Sequence, residues 1–145
     1  MNTPFPIRLV ASSLLLIFCG MAYSQSVERR PVRDIERIIS IYRGSLENQN
    51  AGVVEATIFH LITVRTLFPE QDYRKVSKEL SRLALAGVTP SIRFKSFVAV
   101  NYIQYPQLFE GIDDEIREAK IDQADQVFER LESRLSSYQV SSAGI

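Results

Sequence analysis

Apolar and polar positions in this chain recur at helical spacing, and no segment alternates long enough to make a convincing strand. The pattern is organised around Asn50 to Pro106, which reads as three consecutive helices. In the first, about Asn50 to Thr66, Val53, Val54, Ile58, Phe59, Leu61, Ile62 and Val64 cover well over half of the helix surface. A helix apolar on most sides must be covered on most sides. Asn50 is its expected N-cap. The second, Asp72 to Ala86, has one stripe of Tyr73, Val76, Leu80, Leu83 and Ala84, with Arg74, Lys75, Lys78 and Arg82 opposite. Gly87 is expected to end it in a left-handed conformation. The third has Thr89 as N-cap and Pro90 at the first helical position. Ile92, Phe94, Phe97, Val98, Ala99, Val100, Tyr102 and Ile103 cover most of its surface, and Pro106 should stop it by Tyr105.

On either side of this stretch the pattern is simpler. Pro31 can start a leading helix with Val32, Ile35, Ile38, Ile39 and Tyr42 inside, ending at Gly44. A closing helix runs from about Asp122 to Tyr138 on Ala124, Val127, Phe128, Leu131, Leu135 and Tyr138. Whether it is continuous with the acidic segment Asp113–Glu118 stays open at this level. The expected fold class is therefore all-α: four to five antiparallel helices packed as helix pairs, in a short array or a small bundle. The helical domain should span residues 31–138, after a flexible lead-in at 25–30 and before a disordered tail at 139–145.

Met1 to Ser24 has the pattern of a secretory signal peptide. Arg8 precedes an apolar run through Leu14, Leu15, Leu16, Ile17 and Phe18, and Ala22-Tyr23-Ser24 offers small residues for a cut between Ser24 and Gln25. The run is shorter than the ~20 residues of a spanning helix. Phe18 beside Cys19 argues against lipidation of that cysteine. The expectation is an exported protein, periplasmic or secreted, with no stable membrane span and no cysteine once the signal is gone.

Composition changes this picture in one respect. Formal net charge is zero, so no bulk attraction to nucleic acid is expected. The charge is nevertheless uneven. Ser26–Gln104 carries 12 Lys and Arg against 8 Asp and Glu, and Tyr105–Ile145 carries 4 against 9.

Leu61, Phe68 and Pro69 recur 37 residues later as Val98, Tyr105 and Pro106. Residues 45–56 read as a short polar turn, then a small residue, Val, a charge and Ala. Over about Leu46–Tyr105 the chain resembles HEAT-like (armadillo-type) helical-repeat proteins, whose repeats are of comparable length. The resemblance implies stacked helix pairs and a non-enzymatic scaffold that binds proteins.

Candidate chemistry is sparse. His60 is the sole histidine, with no serine or cysteine nucleophile beside it in the helix, and reads as a packed structural residue. Asp113, Asp114, Glu115 and Glu118 lack the alternation of a calcium loop and suit the positive end of a helix dipole. No zinc-ligand spacing or phosphate loop is found, so no enzyme, metal or cofactor is expected. Two functions fit: a protein–protein interaction module, and a carrier of a lipid or small hydrophobic ligand between the two apolar helices. For the first, the expected partner-binding row is Arg74, Lys75, Lys78 and Arg82, matched to a protein partner of acidic character.

Overall fold

A computed structural model describes residues 30–142 of the chain, with side chains from 34 to 138. The chain divides into two compact units, Met1–Glu36 and Arg37–Ile145. Of the first, only the opening turns of one helix are described, and the buried core belongs to the second. The expected signal peptide, its Ser24–Gln25 cut and residues 25–29 lie outside the described residues.

Among the described residues the protein is all-helical, with α1 (Arg30–Ser45), α2 (Ala51–Leu67), α3 (Arg74–Ala86), α4 (Pro90–Gln104), α5 (Asp113–Glu118) and α6 (Ala124–Ser142). Short 3-10 turns at Pro106–Phe109 and Ile121–Gln123 precede α5 and α6. The expected closing segment is thus two helices, broken where Ala119 and Lys120 are extended (ψ 136 and 166). α6 continues to Ser142, into the segment expected to be a disordered tail.

Local chemistry starts the central helices where the caps are. Asn50 accepts from the N–H groups of Gly52 and Val53 (2.9 and 3.4 Å), and Thr89 from that of Ile92 (3.0 Å). Both satisfy amides that have no partner inside the helix. At the start of α3, Asp72 does this work, its Oδ1 accepting from the Arg74 N–H at 3.0 Å.

Gly87 departs from the expected left-handed cap. Its φ is −62° and ψ 144°, an ordinary extended geometry. The reason for glycine is space: a Cβ there would lie 2.6 Å from the Leu83 carbonyl oxygen and 2.7 Å from Ile92 Cγ2. The three-residue α3–α4 turn closes that tightly. Gly87→Ala is accordingly expected to destabilise by about 1–3 kcal/mol, the usual range for overpacking. Urea unfolding of that variant checks it, and an unchanged midpoint would show that the turn can yield.

α4 is the hub. Its most extensive packing is against α3, next against α2, and it also meets α6 and the first 3-10 turn. Ile92, Val98 and Ala99 of α4, with Ile58, Leu61 and Ile62 of α2, are fully buried. Phe97 was expected in this core but stands 48% exposed, and Tyr105 is exposed as well. Both lie on apolar-rich sequence, yet about half of each is left open to solvent.

α2 and α4 run in the same direction. Glu55 and Lys95, early in each helix, form an ion pair, and Thr66 and Tyr102, late in each, are hydrogen-bonded. Their ends are also alike. Phe68 (φ −132°, ψ 65°) and Tyr105 (φ −129°, ψ 59°) each donate a backbone N–H to the carbonyl four residues back, and each precedes a proline. The 37-residue echo in the sequence therefore corresponds to two side-by-side helices with the same termination.

Candidate functional site

The candidate site lies on α3 and the turn that leads into it. Residues 68–73 form a braced connection. Tyr73 Oη donates toward the carbonyl oxygens of Val64 and Phe68 (3.1 and 3.0 Å), tying down the free end of α2. Arg65 donates Nη1–H to the Pro69 carbonyl at 2.7 Å and stacks its guanidinium 5.5 Å above the Tyr73 ring. Tyr73 is buried, and desolvation pushes its phenol up to about 12.

An open groove of about 700 Å³ runs beside this turn. Arg65, Glu70, Arg74, Ser77 and Lys78 line it, with Ile103 from the end of α4. The expected basic row is thereby split. Arg74 and Lys78 border the groove, while Lys75 and Arg82 lie outside it, and all four are exposed.

The row is also less positive than its residue types suggest. Arg74 makes a bidentate pair with Asp72 (2.9 and 2.8 Å). The Arg74 guanidinium holds the Asp72 carboxyl well below the usual carboxylate range. Arg82 pairs with Glu79 at 2.8 Å. Among the described residues, Lys75 and Lys78 have no ion-pair partner, so they supply the row's uncompensated charge.

A second charged cluster was not foreseen. Lys95 is buried on α4, with Nζ 2.6 Å from Glu55 of α2 and 2.7 Å from Asp125 of α6, and 5.7 Å from the centre of the Phe128 ring. Desolvation pulls its pKa down, but the hydrogen bonds to Asp125 and Glu55 outweigh this and hold it above the ordinary lysine value. It joins three helices, which is a structural task. The only advance signal was a single cation among the apolar positions of Ile92–Ile103 that lies apart from Arg93 at the helix start.

Nearby, Tyr102 donates to Asp113 Oδ1 at 2.8 Å and lies 2.7 Å from Thr66 Oγ1. This links α2, α4 and α5. Burial is the main cause that raises the Tyr102 phenol to about 12. His60 stacks on Tyr42 of α1, ring centroids 5.7 Å apart and 12° from parallel. Its neighbours Thr57 and Thr63 donate their hydroxyls to the carbonyls of Val53 and Phe59. Among the described residues, no group of three or more His, Cys, Asp or Glu side chains could hold a metal ion. No described helix is long and apolar enough to cross a membrane.

Comparison with family models, curated proteins and solved structures finds no match to this chain.

Proposed function

We propose that this chain is an exported, non-catalytic helical-repeat module that binds a protein partner of acidic character along α3 and the groove beside it. One observation carries the reading: α2 and α4 repeat one design, 37 residues apart, side by side and in the same direction. Stacking of like helices is how repeat arrays bury a continuous core. In such arrays the helix between two stacked neighbours lines a surface of the array. Here that helix is α3, strongly amphipathic, its outer side carrying Lys75 and Lys78. The braced 68–73 turn gives the groove one firm wall, which lowers the ordering cost of binding. Direct ties between α2 and α4 support binding at the surface rather than a ligand held between them.

The test uses the two lysines without ion-pair partners, because reversing Arg74 would set a carboxylate against Asp72. The immobilised wild-type protein should capture a partner from cell-envelope extract, with capture weakening as salt rises. Lys75→Glu/Lys78→Glu should lower capture about tenfold through lost electrostatic complementarity, while the helical circular dichroism stays the same. Undiminished capture at low ionic strength by a folded variant would leave the row as a solvated face and sink the proposal.

A further inference from the structure

Leu85 and Val88 are the two most exposed large apolar side chains described, at 86% and 80%, against 57% for the next, Tyr138. They sit three residues apart at the α3–α4 turn. The other exposed residues of that tip, Ala86 and Pro90, are apolar too. A single exposed leucine is ordinary, but a tip whose exposed positions are all apolar is not.

The centre of the tip is bonded from within: Gly87 N–H donates to Leu83 O (2.8 Å), and Gly87 O accepts from Arg93 Nη1 (2.8 Å). Thr89 O accepts from the Arg93 N–H (3.1 Å). Unsatisfied backbone groups are what make loops costly to desolvate, and here both groups of Gly87 and the Thr89 carbonyl are already paired. Gly87 keeps the turn closed against Ile92, so the apolar residues are held outward on a stiff support.

The charge around the tip is mainly positive: Glu79 pairs with Arg82, and among the described residues Lys78 and Arg93 have no ion-pair partner. Arg82 and Arg93 flank it, and Lys78 lies one turn behind Arg82. From Leu80 to Phe109 the chain contains no Asp or Glu. A small apolar projection flanked by the unpaired cations Lys78 and Arg93 matches an anionic lipid surface, where apolar burial and attraction to the headgroups add.

We propose that the α3–α4 tip seats reversibly in the headgroup region of an anionic membrane, with Leu85 and Val88 entering the acyl boundary and Lys78 and Arg93 meeting the headgroups. This seating shares Lys78 with the protein-binding reading, but its apolar anchors are at the end of α3, away from the groove, and a Trp reporter at position 88 tests it apart from capture of a protein. Two short side chains and two cations give a marginal affinity, so the seating is reversible and strongest at low salt.

The chain contains no tryptophan, so one can be introduced as a unique reporter. Val88→Trp, mixed with vesicles of phosphatidylglycerol and phosphatidylethanolamine, should show a saturable blue shift of its fluorescence. Tyr138→Trp on α6, also exposed, should show none. Adding Leu85→Gln to Val88→Trp should raise the lipid concentration for half-maximal shift about tenfold, the effect of one leucine-sized burial. The proposal is overturned by an unshifted Val88→Trp spectrum, by an equal shift at position 138, or by an equal shift with phosphatidylcholine vesicles. It is equally overturned if the shift appears without lipid and tracks dimer formation, since the tip would then cover itself with a second copy of this chain.

Discussion

Leu61→Ala is expected to lower the unfolding free energy by about 2–5 kcal/mol, the range for truncating a buried leucine. Leu61 has no exposed surface, and its fully buried company includes Ile58 and Ile62 on the same helix and Val98 on α4. The site has little freedom to collapse into the space left behind. α2 is held to α4 by Glu55–Lys95 near one end and by Thr66–Tyr102 near the other. The value should therefore fall in the upper half of that range, a large share of the ~5–15 kcal/mol of a whole domain. Phe97→Ala, on an exposed position of α4, should cost far less despite the larger side chain removed. Urea unfolding followed by circular dichroism gives both numbers. A loss below about 1 kcal/mol for Leu61→Ala, or one as large for Phe97→Ala, would put the core elsewhere.

Phe97 and Leu61 also show where sequence reading stops. Helix type, and most helix ends, were legible because their causes are local. Asn50 and Thr89 cap the amides two or three residues on, and proline stops α4 at its neighbour. Which side of an all-round apolar helix faces the core is not local. α2 and α4 have almost no polar face to orient them, so Phe97 could not be told from Val98. Gly87 illustrates a different limit. Its position after α3 suggests a conformational need, whereas Ile92 and the Leu83 carbonyl exclude a Cβ for lack of room. That depends on how α3 folds back on α4, which residue type alone does not state.

The candidate site was legible in the same uneven way. The basic row on α3 follows from helical spacing, and all four of its residues are exposed. Its effective charge was not visible, because Asp72 and Glu79 compensate two of the four cations. Lys95 was missed because its two acidic partners lie 40 residues before it and 30 after. A buried lysine is stable only with such partners, and no spacing rule joins positions that far apart. Lys95→Met should therefore be tolerated better than Glu55→Gln/Asp125→Asn, which leaves the ammonium buried and unpaired. Urea midpoints of the two variants rank them, and the reverse order would mean that water reaches the ammonium.

Stability is expected to fall steeply between pH 10 and pH 12. Tyr73 and Tyr102 both titrate near 12 in the folded protein, against an ordinary value of 10.0, because both are buried. The folded state thus keeps two phenolic protons that the unfolded chain releases from pH 10 upward. Where the folded state binds more protons, stability decreases with pH. Their contribution is intact below pH 10 and is lost as pH rises through the folded values. The slope approaches about 1.4 kcal/mol per pH unit for each tyrosine, so the pair removes about 5 kcal/mol by pH 12. Lys95, also raised, adds loss in the same direction at the top of this window. The geometry explains why ionisation is disruptive. A Tyr73 phenolate would face the carbonyl oxygens of Val64 and Phe68, and a Tyr102 phenolate would face the carboxylate of Asp113. Tyr73→Phe/Tyr102→Phe separates these protons from every other group that titrates there. That variant should be weaker at neutral pH, by about 1–3 kcal/mol for each hydroxyl removed. Above pH 10 it should lose stability more gently than the wild type, so that the two curves converge or cross. Parallel curves from pH 9 to pH 12 would mean that the two phenols ionise without opening the ends of α2 and α4.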